Sequence, residues 1–131
     1  MKNLKIKSDD NYDAFLILIK NNKCCPSIHC AYYSAYLLSI YSLCSKFGYS
    51  YEDIQKESKG TDSHFYVRNE LYGKIESLKR LDAVDFNVYM GKLKMMRKKA
   101  DYSKDLITGK EANDTKDAIE KLRELVTSKY I

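Results

Sequence analysis

The near absence of helix-breaking residues constrains the fold of this chain more than any other feature. Its 131 residues include a single proline, Pro26, and five glycines. Sheets joined by tight turns usually contain more of both. Proline suits the first turn of a helix and glycine marks an end, and Pro26 and Gly48 are separated by roughly 22 residues that contain neither type. This spacing predicts one long, central helix.

The rest of the sequence favours further helices separated by polar connections. The polar stretch 49–61 predicts a long connection with one helical turn at 51–55. Ser8 is a suitable cap for the first helix, and Leu71, Ile75 and Leu78 are expected to face inward on the third. The four predicted helices other than the central one cover about 8–21, 62–80, 84–103 and 114–130.

These segments predict an all-α fold, an up-and-down antiparallel bundle of four to five helices. The length fits one domain over residues 1–131. The apolar run 14–19 is too short for a signal peptide and follows acidic residues. No run approaches about 20 apolar residues, so we expect a cytoplasmic protein with no membrane partner.

The cysteines indicate buried free thiols, because disulfides are rare in a reducing compartment. The alternative is a metal site that uses Cys24, Cys25, His29 and Cys30. No second pair of cysteines or histidines completes a zinc-binding spacing. We therefore expect neither a metal nor a cofactor.

The basic residues are concentrated near the end of the fourth predicted helix. The net charge is +5, and five cations fall within eight positions: Lys92, Lys94, Arg97, Lys98 and Lys99. Such a cluster attracts nucleic acid or acidic partners. It is the electrostatic footprint that the sequence predicts.

Polar residues of the third and fourth helices are expected to meet. The connection around 81–83 is short, which forces the two helices to be antiparallel neighbours. His64 and Arg68 would then gather with Arg97, Asp101 and Tyr102 at one end of the bundle. Such a group could bind phosphate or support acid/base chemistry. The alternative is structural, with Arg97 and Asp101 forming a surface pair worth about 0.2 to 0.5 kcal/mol.

His29 is expected to lie apart from this group. It stands at the start of the central helix, which an up-and-down bundle places at the opposite end, about 30 Å away. The nearby Tyr32, Tyr33 and Tyr36 could stack on bases if a cleft exposes them.

Three segments together resemble the HEPN domain family. They are His29-Cys-Ala-Tyr-Tyr-Ser-Ala-Tyr-Leu-Leu, then Ser63-His64, then Arg97-Lys-Lys-Ala-Asp-Tyr102. The resemblance runs from about Asp9 to Ser103. It implies a helical bundle, commonly homodimeric, found in prokaryotic toxin–antitoxin and defence systems and often beside a nucleotidyltransferase partner.

Many members of that family are metal-independent ribonucleases that use an arginine followed a few residues later by a histidine. Here Asp101 holds the corresponding place after Arg97. We therefore interpret the chain as a non-catalytic module that binds RNA, a nucleotide or a partner protein. The predicted binding residues are His29, Tyr32, Lys94, Arg97, Lys98, Lys99 and Tyr102.

The alternative is a divergent ribonuclease whose site lies in a dimer cleft. Its candidate catalytic residues are His64, Arg68, Arg97 and Asp101.

Overall fold

The computed structural model describes residues 2–131, which form six helices and no strand. The predicted all-α class is therefore confirmed, and within the described residues no helix combines the length and apolar composition needed to cross a bilayer. Five helices are long and α3 has seven residues. The helices are α1 (Lys2–Lys20), α2 (Cys24–Ser45), α3 (Tyr51–Glu57), α4 (Ser63–Leu78), α5 (Arg80–Tyr102) and α6 (Gly109–Lys129).

Helix α2 lies at the centre of the bundle, as the sequence predicts. Thirteen of its 22 residues are buried, so it has no solvent-facing side along most of its length. The small residues Ala31, Ala35 and Ser39 are fully buried. Small side chains let neighbouring helices approach closely. The connected apolar core draws residues from all six helices.

The direction of the long helices alternates except between α2 and α4. Helix α5 runs antiparallel to α4, because only Lys79 separates them. It also runs antiparallel to α2, since His29 near the start of α2 contacts Asp101 near the end of α5. Helices α2 and α4 therefore point the same way. The returning segment contains α3, which is anchored by the buried Ile54.

Two predicted features of the first and third helices are wrong. Ser8 does not cap α1, which begins at Lys2; its hydroxyl is buried and donates to the carbonyl of Ser34 at 2.7 Å. Leu78 does not face inward, because it is the last residue of α4 and its side chain is largely exposed. Leu71 and Ile75 are fully buried, as predicted.

The start of α6 also differs from its predicted position at about residue 114. The helix begins at Gly109, and Thr108 caps it by accepting from the backbone N–H of Glu111 at 3.1 Å. The Glu111 carboxylate accepts in return from the backbone N–H of Thr108 at 3.0 Å. This reciprocal capping box holds in place a junction that glycine alone would leave flexible.

Candidate functional site

The start of α4, the end of α5 and the first half of α2 converge on a group of aromatic and basic side chains. We call Tyr32, Tyr33, Tyr36, His64 and Arg97 the aromatic–arginine cluster. Three of its members come from one helix, where Tyr32 and Tyr36 are one turn apart. Asp62 caps α4 by accepting from the backbone N–H of His64 at 3.0 Å. This cap fixes the backbone position from which the His64 side chain extends.

His64 is held by tyrosines on its edge and its face. Its Nδ1 lies 2.9 Å from the Tyr32 hydroxyl, and its ring stacks on Tyr36 with centroids 4.0 Å apart. Burial, followed by the charge of Arg97, holds the pKa of this imidazole below its ordinary value. Burial also raises the pKa of Tyr32 to about 12. Both groups are therefore neutral at pH 7.

Arg97 is the cation of the cluster. Its guanidinium carbon lies 4.8 Å from the centre of the Tyr32 ring and 5.5 Å from that of Tyr33. Its Nε donates to the Asp101 carboxylate at 3.3 Å. The side chain is 19% exposed, so these contacts leave part of it open to solvent. Cation–π contacts of this kind are stronger where water is excluded.

His29 joins the same site, which corrects the prediction that it lies at the opposite end. Its Nδ1 is 3.2 Å from Asp101 Oδ2, and its ring centroid is 4.6 Å from that of Tyr33. The His64 ring also contacts Tyr33, at 5.7 Å. The two histidines therefore flank one tyrosine. The prediction failed because it assumed strict alternation of helix direction, whereas α2 and α4 are parallel.

Arg68 lies outside the cluster. Its Nε donates to the Asn87 side chain at 2.8 Å and its Nη2 to the Asn87 carbonyl at 3.2 Å. The sequence placed the α4–α5 turn at residue 82, whereas the link is Lys79. Because the turn comes three residues earlier than predicted, each residue of α4 lies opposite a residue nearer the start of α5. Arg68 therefore links α4 to α5 through these hydrogen bonds.

The lysines near Arg97 differ in their surroundings. Lys99 donates to Glu111 at 2.8 Å and so joins α5 to α6. Lys94 is half-buried and Lys98 is exposed, and neither forms an ion pair with any of residues 2–131. Tyr102, the last residue of α5, is 74% exposed. Lys94, Lys98 and Tyr102 therefore remain open to a ligand.

The sequence predicts Tyr33 and Tyr36 only as rings that stack on bases if a cleft exposes them, whereas the structure packs both against His64 of the cluster. Tyr36 forms the closest stack with His64, and Tyr33 contacts both histidines. The signal was present in the i, i+4 spacing of His29 with Tyr33 and of Tyr32 with Tyr36. The apolar periodicity of α2 concealed it, since tyrosine is counted there as a core residue.

The cysteines do not assemble into a metal site. Cys24, Cys25 and Cys30 are half-buried free thiols, and Cys44 is buried. Across the part of the chain that the structure describes, no three His, Cys, Asp or Glu side chains lie close enough together to hold a metal ion. Cys24 and Cys25 instead pack against a small apolar group around Ile28 and Met96.

Comparisons of the chain with protein-family models, with curated proteins and with solved structures found no match.

Proposed function

We propose that this domain binds single-stranded RNA at the aromatic–arginine cluster and does not cleave it. The observation that carries the proposal is the position of Arg97, which is packed on two tyrosine rings, ion-paired with Asp101 and still partly open to solvent. A guanidinium held in this way is pre-organised to bind a phosphate in a fixed orientation.

The surroundings of Arg97 supply the other parts of such a surface. Lys94 and Lys98 lie on the same helix as Arg97 and form no ion pair with any residue that the structure describes. Such cations suit a phosphate backbone. His29 and Tyr102 are exposed planar side chains on which bases can stack. Cations beside stacking platforms are the usual arrangement for single strands, because each base has a face to stack.

The way His64 is held favours binding over catalysis. Its Nδ1 is engaged by the Tyr32 hydroxyl and one face is covered by Tyr36. A general acid or base needs a nitrogen that reaches the reacting oxygen. The tyrosine contacts instead give His64 a role in fixing Tyr32 and Tyr33, the two rings that lie beneath Arg97.

One observation favours metal-independent cleavage as a second candidate function. His29 and His64 flank the same Tyr33 ring beside a guanidinium, and Asp101 holds His29. Two imidazoles could share the transfer of protons to and from RNA, while Arg97 stabilises the developing negative charge. This arrangement uses His29 in place of Arg68, which is engaged elsewhere.

The test is incubation of the purified protein with end-labelled single-stranded RNA in EDTA, scored in parallel for retardation and for cleavage. We expect retardation without cleavage. Arg97→Ala should weaken binding about tenfold and reduce the slope of affinity against salt concentration by the amount expected for about one lost phosphate contact. Arg97→Lys should recover only part of the affinity. Circular dichroism would confirm that each variant is folded.

Arg80→Ala is the matched control, because it removes the same charge from the opposite end of α5. Equal losses in Arg80→Ala and Arg97→Ala would mean that net charge alone attracts RNA, and would overturn the proposed site. Cleavage that disappears in both His29→Ala and His64→Ala would establish the ribonuclease instead. If the protein neither retards nor cleaves the RNA, both functions are excluded.

A further inference from the structure

Helix α5 carries a row of exposed apolar side chains on the side opposite the core. We call Leu81, Val84, Val88, Met95 and Tyr102 the α5 ridge. These residues are between 43% and 74% exposed, whereas Phe86, Met90 and Leu93 on the inner face are buried. Single exposed apolar residues are normal on a protein surface. An aligned row along a whole helix is not explained in that way.

The spacing of the α5 ridge is that of a helix–helix seam. Its members follow one another at intervals of three, four, seven and seven residues, and Gly91 and Lys98 occupy the intermediate positions. A repeat of three and four keeps one narrow face toward a partner helix. The row is about 30 Å long at about 1.5 Å per residue. A helix of similar length would cover it.

Gly91 lies near the middle of this row. A Cβ atom built there would meet only Arg68 Nη2, at 3.4 Å, within the chain. Because Gly91 has no side chain, the Arg68 guanidinium of α4 lies against α5 at this point and borders the centre of the row. The regular spacing of the α5 ridge therefore suits a partner with an extended, regular surface.

The charged residues beside the α5 ridge indicate what kind of partner would fit it. Arg80, Lys92 and Lys98 each lie one turn from a ridge residue and form no ion pair with the described residues. Asp85 is the acidic residue exposed beside the ridge, and Lys99 is already paired with Glu111. A second copy of this chain would bring like-charged flanks together, at a cost that complementary flanks avoid. A partner with acidic flanks is complementary along the length of the helix.

We propose that the α5 ridge is the docking face for an amphipathic helix of a partner protein, whose apolar seam is flanked by aspartates and glutamates. The inference goes beyond RNA binding. It shares Lys98 and Tyr102 with the RNA surface, but its apolar residues from Leu81 to Val88 lie two or more turns from Arg97. The two surfaces are therefore separable by substitution at that end of the ridge.

The probe is a designed four-heptad peptide with leucines on its seam and glutamates on both flanks, labelled for fluorescence anisotropy. We expect saturable binding to the full chain, weakened at least about tenfold by Val88→Asp. Ile17→Asp is the matched control, since Ile17 is 62% exposed on the outer side of α1 and Val88 is 60% exposed. The same seam flanked by lysines should not bind.

Sedimentation of the free protein separates the remaining outcomes. If the wild-type chain is a dimer that Val88→Asp dissociates, the ridge is an interface between copies and the proposal fails. Absence of saturable peptide binding, or an equal loss in Ile17→Asp, also overturns it. Retardation of RNA should be unchanged in Val88→Asp, so that failure of the docking face remains distinct from failure of the RNA site.

Discussion

At the scale of single residues, Arg97 owes its orientation to planar contacts that a lysine cannot reproduce. The guanidinium lies over two tyrosine rings and donates to a carboxylate. A lysine in its place would keep the charge but lose the flat surface that packs on the rings. Tyr32 in turn needs His64 as the partner of its buried hydroxyl. The cluster therefore depends on residue identity as well as on charge.

A second buried pair, at the other end of the bundle, predicts a dependence of stability on pH. The hydroxyl of Tyr130 donates to Asp82 Oδ2 at 2.6 Å, and both residues are buried. That hydrogen bond, with Lys129 nearby, lowers the pKa of the Asp82 carboxyl. Burial, and then the bond to Asp82, raises the pKa of Tyr130 to about 12.

Tyr130→Phe is therefore expected to lower the free energy of unfolding by about 1.5 to 3 kcal/mol at pH 7, since the acceptor is charged. The raised pKa means that the neutral phenol stabilises the fold. Its contribution is complete below pH about 10 and is lost as pH rises toward 12. Urea unfolding at pH 7, 10 and 11.5 measures both effects.

In that experiment the difference between wild type and Tyr130→Phe should shrink above pH 10. Tyr102→Phe, which removes an exposed hydroxyl, should have almost the same free energy of unfolding as the wild type at each of the three pH values. A Tyr130→Phe difference that stays constant from pH 7 to 11.5 would show that the hydroxyl is not the group that titrates.

At the scale of the helices, side-chain caps fix the starts of α3, α4 and α6. Ser50, Asp62 and Thr108 each cap the helix that follows by accepting from its first turn. The cap of α6 does more than the others, because Glu111 also accepts from Lys99 of α5 at 2.8 Å. One carboxylate thus fixes the start of α6 and joins it to the end of α5.

Thr108→Ala is expected to destabilise the protein by about 1 kcal/mol, the usual cost of losing a side-chain cap. The exposed Thr127, near the end of the same helix, offers the control Thr127→Ala, which removes a threonine that caps nothing. Thermal or urea unfolding would compare the two. Equal effects would mean that helix propensity, rather than the cap, determines the change.

At the scale of the whole molecule, local patterns predict the helices and long-range packing decides how they assemble. Pro26 and Gly48 locate α2, and the short turn after α4 predicts its antiparallel neighbour. The polar segment after Gly48 contains one decisive apolar residue, Ile54, whose burial returns the chain toward the start of α2. No periodicity reveals a single anchoring residue. The resulting parallel arrangement of α2 and α4 places His29 and His64 at the same end of the bundle, against one tyrosine.

The same difference in packing predicts a graded pattern of amide hydrogen exchange. Thirteen of the 22 residues of α2 are buried between neighbouring helices, whereas α3 has one buried residue among seven. Amides in the middle of α2 should exchange only through global unfolding, so their protection should equal the free energy measured with urea. Amides of α3 should exchange faster, through local opening that costs less.

Hydrogen exchange measured by mass spectrometry across a series of low urea concentrations distinguishes the two modes. Exchange in α2 should accelerate with urea as steeply as global unfolding does, because each opening exposes the whole core. Exchange in α3 should depend weakly on urea. If α2 opened as readily as α3, the bundle would lack the rigid centre on which both the aromatic–arginine cluster and the α5 ridge depend.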